Sequence, residues 1–217
     1  MNLRNIEIYG HTEPFNVLLN AYNNKFPQSW IFYGEEGLGK SLIARKFILW
    51  SLARDSYDSK LIEFESLSQV KKDYINSKFN ACVLELNENK DKIDDINSIR
   101  KLIDEVALTN FSDSLNKYVI IDNVNSLNLN SKNALLKTIE EPPEKTIIIL
   151  ICHNIKLVPK TILSRCVRLD FSNLNFCEFK EYLIANDEKF CDEEIKKIYN
   201  FSNGRPVYYQ SIKKLGG

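Results

Sequence analysis

The chain has 217 residues, and its 29 Lys and Arg side chains balance 29 Asp and Glu side chains, so its formal net charge is zero. This balance excludes the strongly basic field that would drive nucleic-acid binding by the chain alone. The length suits one large domain, or one domain with a small appendage. Because no apolar run approaches the roughly 20 residues of a membrane span and the N-terminus lacks a signal-peptide apolar segment, we expect a cytoplasmic protein.

The cysteine pattern does not predict a metal site. The chain has no C-x-x-C pair, and His11 and His153 are its two histidines. Cys82 and Cys152 lie in apolar, strand-like runs and are expected to be buried as small hydrophobic residues. We therefore expect no zinc and a reducing compartment for the five thiols, which belong to Cys82, Cys152, Cys166, Cys177 and Cys191.

Strand-like and helix-like segments alternate along most of the chain. This alternation predicts an α/β fold, in which helices cover both faces of a parallel sheet. The fourth strand-like segment is almost unbroken in its apolar character, as is typical of a strand buried on both faces. The five predicted strands are residues 30–33, 81–86, 117–122, 146–151 and 166–171.

Helical periodicity places helices between these strands and after the last one. Ser131 is predicted to cap a helix that Pro142 ends, and Gly204 is predicted to end a later helix. The loss of strand signals after Phe171 divides the chain into residues 1–172 and a small helical domain of residues 173–217. The predicted helices are residues 42–52, 96–106, 132–141, 176–184, 192–201 and 205–215, whereas residues 55–80 are polar and weakly periodic.

A glycine-rich segment follows the first predicted strand. Residues 34–41 read GEEGLGKS, which fits G-x-x-x-x-G-K-[ST] at every fixed position. The strand before it and the helix after it are the setting that a phosphate-binding P-loop requires, although a glycine-containing loop could match the pattern by chance. Glycines allow backbone N–H groups to surround phosphate oxygens, while the lysine reaches the β- and γ-phosphates and the serine binds Mg²⁺. The predicted nucleotide-binding residues are Gly34, Gly37, Gly39, Lys40 and Ser41.

Asp122 ends the third predicted strand and is the candidate for the second Mg²⁺-binding group. The simpler alternative is an acidic residue at a strand end that leads into a loop. The next residue is Asn123, where many such ATPases have a glutamate that activates water. Because an amide can hold water but cannot accept its proton, we expect ATP–Mg²⁺ binding with slow hydrolysis or none.

Two later segments resemble the clamp-loader subunits of the AAA+ class. Residues 131–143 read SKNALLKTIEEPP, and residues 159–166 read PKTILSRC. The resemblance implies a AAA+ P-loop sheet followed by a helical lid. Among these subunits the resemblance favours delta-prime of DNA polymerase III, because residues 28–32, 95–100, 108–109 and 119–123 are similar to segments of delta-prime subunits. Asn123 agrees with this, since delta-prime subunits are commonly weak or inactive ATPases.

The resemblance implies that Arg165 is an arginine finger, which reaches the γ-phosphate of ATP on a neighbouring subunit. The alternative is a structural arginine at a helix C-terminus. His153 falls at the sensor 1 position, where the family has Thr or Asn. It could donate to a phosphate oxygen, or it could be a strand-end histidine without a ligand.

The sequence also departs from the family pattern. The four-cysteine zinc module is missing between the P-loop and the second strand, and Val207 stands where the lid usually has a sensor 2 arginine. Arg205 could replace that arginine only if the helix start were rotated. The usual C-terminal collar would follow Gly217, so we expect a subunit without it.

The resemblance implies ATP and Mg²⁺ as cofactors. The implied partners are gamma or tau subunits, the delta subunit, the sliding clamp and, through the assembly, primer-template DNA. Three other interpretations remain, namely a catalytic gamma or tau ATPase, a small-molecule P-loop kinase, and a protein-binding module with an unused P-loop. The catalytic interpretation requires a glutamate after Asp122 and the sensor 2 arginine, and the kinase interpretation leaves residues 131–143 and 159–166 unexplained.

Overall fold

The computed structural model describes residues 10–57, 69–87, 104, 116–186 and 190–215. In these residues five strands form one parallel sheet, in the order β2-β3-β4-β1-β5. The predicted α/β architecture is confirmed, and the observed strands lie within two residues of the predicted bounds. They are β1 Ser29–Tyr33, β2 Val83–Asn87, β3 Lys117–Asp122, β4 Thr146–Cys152 and β5 Val167–Asp170.

The helices connect the strands and extend beyond the last one. Two 3₁₀ turns, Val124–Ser126 and Ile155–Leu157, follow β3 and β4. Of the predicted helix over residues 96–106 only residue 104 is among the described residues, and it is helical. The helices are α1 Thr12–Asn23, α2 Lys40–Tyr57, α3 Gln69–Cys82, α4 Leu129–Glu140, α5 Lys160–Leu163, α6 Phe176–Ala185, α7 Asp192–Ser202 and α8 Pro206–Leu215.

Both faces of the sheet are buried at its three central strands, β1, β3 and β4. Successive side chains of a strand point to opposite faces, so Trp30 and Phe32 pack with α1, α2 and α3, whereas Ile31 packs on the face of α4 and α5. The strand β4 alternates in the same way and is buried at every position. This double burial explains why its sequence is an apolar run without polar alternation.

The C-terminal helices have a hydrophobic cluster of their own, centred on Leu174, Phe179, Leu183 and Ile195. Gly204 lies between α7 and α8 and is hydrogen-bonded to the segment after β5, because the Leu174 N–H donates to the Gly204 carbonyl at 3.0 Å. A Cβ atom on Gly204 would lie 2.3 Å from the Leu174 carbonyl oxygen, so a side chain does not fit there. The division at residues 172 and 173 stays a prediction.

Two local predictions were wrong. Asn128, not Ser131, caps α4, because the Asn128 side chain accepts the Ser131 N–H at 2.8 Å and the helix begins at Leu129. Cys82 is buried as expected, but it ends α3 and does not belong to a strand. Gly204 does end α7 as predicted, because it follows Asn203, which has φ 52°, and its N–H donates to the Tyr199 carbonyl at 3.2 Å in the turn that closes the helix. None of the described helices is long and apolar enough to cross a membrane.

Candidate nucleotide-binding site

The glycine-rich segment forms a tight loop between β1 and α2. Gly37 has φ 86°, in the left-handed region that glycine adopts without strain. Gly34 lies so close to the chain after β5 that a Cβ atom would be 2.2 Å from the Phe171 carbonyl oxygen. Because α2 begins at Lys40, the loop and the helix N-terminus place backbone N–H groups and positive dipole together. This arrangement fits a phosphate group.

Lys40 folds back onto this loop. Its ammonium Nζ donates to the carbonyl oxygens of Gly34 at 2.8 Å and Glu35 at 2.6 Å, and the residue is only 3% exposed. Burial lowers the pKa of Lys40 to about 8, although the nearby charge of Asp122 opposes this shift. The loop therefore holds a cation in the position from which it could contact phosphate oxygens.

Ser41 and Asp122 meet beside the loop. Burial raises the pKa of the Asp122 carboxyl, while the hydrogen bond from Ser41 and the charge of Lys40 oppose the rise. A hydroxyl and a carboxylate side by side are oxygen ligands of the kind that Mg²⁺ accepts together with substrate phosphates. The residues present thus fit a nucleotide with Mg²⁺, and the metal, when bound, would neutralise phosphate charge.

An ion pair that the sequence analysis missed lies on the same face of the sheet. Arg45 of α2 donates to the Glu85 carboxylate of β2, and both side chains are largely buried. Their charges act on Asp122 in opposite directions, since Glu85 raises its pKa and Arg45 lowers it. Arg45 comes one helical turn after Ser41, and this spacing is the signal that could have placed it near the site.

The ends of β3 and β4 bring three predicted residues together. Asp122 pairs with Ile151 in the sheet, and Asn123 and His153 follow these two strands. Asn123 is buried, and its side-chain oxygen accepts the Asn125 N–H at 3.0 Å. The Asn125 side chain in turn accepts the backbone N–H of His153 at 2.8 Å. Asn125 is a further residue that the sequence analysis did not single out.

The start of α8 lies on the P-loop. The Val207 N–H donates to the Gly37 carbonyl at 3.0 Å, and Tyr208 packs against Gly37. Arg205 approaches the Glu35 carboxylate at 3.5 Å and stacks on the Tyr208 ring at 4.4 Å. The helix α8 therefore contributes backbone and aromatic contacts to the loop, and Arg205 contacts Glu35.

Arg165 does not join this site. It lies in the turn before β5, whose first residue Val167 pairs with Trp30 near the start of β1. The P-loop follows the other end of β1, and a strand of 5 residues spans about 16 Å. Arg165 donates to the Thr161 carbonyl at 2.9 Å and pairs with Glu140 at 2.7 Å, and its side chain is 39% exposed.

The strand order and the P-loop after a central strand define an AAA+ P-loop fold. Known structures share it: a gamma-subunit-related protein from Thermotoga maritima aligns with a TM-score of 0.54 and 22% identity, over 90% of this chain and 57% of that one. The RuvB branch migration motor of the same organism aligns with a TM-score of 0.59 and 15% identity, over 98% of this chain and 64% of that one. These likenesses describe the fold.

The family follows from sequence comparison. The family model described as "DNA polymerase III, delta subunit" matches residues 10–175, so the chain belongs to this family. It is 30% identical to DNA polymerase III subunit gamma of Buchnera aphidicola subsp. Schizaphis graminum, over 91% of this chain and 54% of the relative. It is 29% identical to subunit delta′ of Buchnera aphidicola subsp. Baizongia pistaciae, over 70% of this chain and 46% of the relative. The chain thus spans about half the length of these relatives.

The clamp-loader resemblance of residues 131–143 and 159–166 is thereby confirmed at the level of the family. The comparisons favour gamma and tau subunits, since further relatives with 28–32% identity carry those names.

Proposed function

We propose that the chain acts as a delta-prime-type subunit of a DNA polymerase III clamp loader. It binds ATP with Mg²⁺ and supplies Arg165 to the ATP of a neighbouring subunit. The observation that carries this proposal is the distance between the nucleotide-binding residues and Arg165 within the chain. The P-loop and Asp122 lie where the carboxyl ends of the parallel strands meet, here called the carboxyl edge of the sheet. Arg165 lies beyond the amino ends of the strands, here called the amino edge. An arginine so placed cannot reach a nucleotide in its own P-loop, so its action on ATP requires a second subunit.

The nucleotide part of the proposal is supported by Lys40, Ser41 and Asp122, which provide a cation and two oxygen ligands at the loop. Weak hydrolysis is supported by two substitutions. Asn123 has no carboxylate to accept a proton from water. Val207 contacts the loop through its backbone and has no cationic side chain to stabilise a phosphate.

The proposed partners are those of the family, namely gamma or tau subunits, the delta subunit and the sliding clamp. Primer-template DNA would be contacted by the assembly, mostly through its phosphate backbone. The zero net charge of this chain supports DNA binding by the assembly and not by this chain alone, because counterion release from DNA needs clustered cations.

A catalytic gamma or tau subunit is the second candidate. It is favoured by the names of most relatives and by an intact P-loop. The two candidates differ in the turnover of the chain itself. A delta-prime-type subunit should hydrolyse ATP slowly, and Asn123→Glu should raise the rate. Rapid turnover by the wild type that Asn123→Glu leaves unchanged would favour the catalytic candidate. A small-molecule kinase would not explain the family match over residues 10–175.

The test is the DNA- and clamp-stimulated ATPase rate of a reconstituted loader in which only this chain carries Arg165→Ala. Arginine fingers contribute about 10³ or more in rate, so we expect a fall of that order. Arg165→Lys is the matched control. It should restore little of the ATPase rate, because a lysine ammonium lacks the planar guanidinium that donates two parallel hydrogen bonds. Nucleotide binding by this chain should remain unchanged in both variants.

The corresponding change at the other edge is Lys40→Ala, which should weaken nucleotide binding by this chain. If the wild type binds no ATP and Lys40→Ala changes nothing, the chain is a protein-binding module with an unused P-loop. An unchanged loader rate with Arg165→Ala would show that this arginine only caps α5.

A further inference from the structure

One amide side chain holds the backbone that follows β4. The Asn125 Oδ1 atom accepts the N–H of His153 at 2.8 Å and the N–H of Asn154 at 3.0 Å. The Asn125 Nδ2 atom donates to the Asn154 carbonyl at 2.9 Å. The Cys152 thiol also donates to Oδ1, at 3.4 Å. Three consecutive residues are therefore held by a single side chain.

Asn125 is itself fixed from the β3 side. Its N–H donates to the side-chain oxygen of Asn123 at 3.0 Å. Its carbonyl oxygen accepts from the Lys132 ammonium of α4 at 3.4 Å. Asn125 thus stands between Asn123, which follows Asp122, and His153, which follows β4.

The sheet alone does not hold His153 in place. The ladder between β3 and β4 ends at the pair Asp122 and Ile151, so His153 lies beyond the last paired residue. Backbone groups beyond a ladder need other partners, and the Asn125 amide is one that both accepts and donates. An alanine at position 125 would remove all of these side-chain contacts, and a serine has no amide to reproduce them.

We propose that Asn125 is the positioning residue that sets His153 relative to Asp122 and Asn123, so that any contribution of His153 to nucleotide binding requires Asn125. This inference rests on the proposed nucleotide site and adds a residue that no motif indicated. Asn125 acts through the backbone of its neighbours and is not a ligand of the nucleotide. Its loss should therefore have the same consequence for binding as the loss of the imidazole itself.

A double-mutant cycle on the full chain tests the inference. A fluorescent ATP analogue with Mg²⁺ is titrated into the wild type, Asn125→Ala, His153→Ala and the double variant. A hydrogen bond to a charged group supports an affinity loss of roughly tenfold for each single variant. If Asn125 acts through His153, the double variant should bind no more weakly than either single variant. If the affinity loss of the double variant equals the product of the two single losses, the inference is overturned.

Asn154→Ala is the matched control. The Asn154 side chain is adjacent but caps the following 3₁₀ turn by accepting the Lys156 N–H at 3.1 Å. We expect its affinity to stay within about twofold of the wild type, as for a site not coupled to the nucleotide. A loss as large as that of Asn125→Ala would mean that general loosening of the loop, not positioning of His153, weakens binding.

The remaining outcomes are also decisive. Thermal unfolding without nucleotide shows whether each variant is folded before it is titrated. Normal binding by His153→Ala would overturn this inference while leaving the proposed function intact. Absence of binding by the wild type would overturn the proposed function and this inference together.

Discussion

The two edges of the sheet carry charged groups in contrasting surroundings. At the carboxyl edge Lys40 is almost fully buried and donates to two loop carbonyls. On the same face, Arg45 pairs with Glu85 in the middle of β2, and both side chains have little exposure. At the amino edge Arg165 pairs with Glu140, but 39% and 44% of the two side chains remain exposed. The first arrangement places buried charges beside the glycine-rich loop of this chain. The second leaves a guanidinium where another molecule can approach it.

This difference in burial has an energetic meaning. A charge that is removed from water depends on its partner, because the lost hydration must be compensated. A charge that keeps much of its hydration depends little on any single partner. The carboxyl edge should therefore be sensitive to the loss of one ion-pair member in this chain alone, whereas the amino edge should reveal its role mainly in an assembly.

The largest stability effect should follow Arg45→Met. This change leaves the Glu85 carboxylate largely buried without its cation, and removing one partner of such a pair costs about 3 kcal/mol. Urea unfolding of the full chain would measure the loss. The double change Arg45→Met with Glu85→Met removes both charges and should recover part of the stability. A loss below about 1 kcal/mol for Arg45→Met would show that the pair is effectively solvated and would weaken the comparison.

The strands and the P-loop could be predicted because each leaves a local signature in the sequence. Strands such as β4 are buried on both faces and read as continuous apolar runs. A phosphate-binding loop has glycines, a lysine and a hydroxyl at fixed spacing, and this spacing in residues 34–41 predicts the loop from the sequence. These signals depend on neighbours along the chain and not on the assembled fold.

Features that depend on the assembled fold could not be predicted. The Asn125 network joins the ends of two strands, and its residues have no periodic spacing. Arg45 and Glu85 meet because β2 lies beside β3 and under α2. No local sequence pattern predicts this arrangement of the elements. The sequence predicts Ser131 as the cap of α4, whereas the structure has Asn128. Serine and asparagine both favour N-cap positions, and only the position of the first helical turn distinguishes them.

The second effect concerns the pH dependence of nucleotide binding at the buried edge. The pKa of Lys40 is lowered to about 8 by burial, and phosphate favours the protonated ammonium. Binding above pH 8 must therefore take up a proton, and affinity should fall by up to about tenfold per pH unit. Below pH 8 the ammonium is already charged, so this contribution is constant.

Titration of a fluorescent ATP analogue between pH 7 and pH 9.5 would measure this effect. Lys40→Met is the control, and its weaker affinity should show no such decline above pH 8. An equal decline in both proteins would assign the pH dependence to another group.

The smallest effect should follow Glu140→Gln at the exposed edge. The pair with Arg165 is partly hydrated, and Arg165 keeps its contacts with the Thr161 carbonyl and the Ser164 hydroxyl. We expect a stability loss below about 1 kcal/mol by urea unfolding, which is the usual range for surface ion pairs. Glu141→Gln is the neighbouring control and should be close to the wild type.

A loss at Glu140 as large as that of Arg45→Met would contradict the contrast between the edges. It would mean that Arg165 is held as a structural element of this chain. A small loss is what the proposed arginine finger requires, because Arg165 would then have to exchange Glu140 for a phosphate at little cost. The stability of the isolated chain thus bears directly on whether its amino edge can serve a partner.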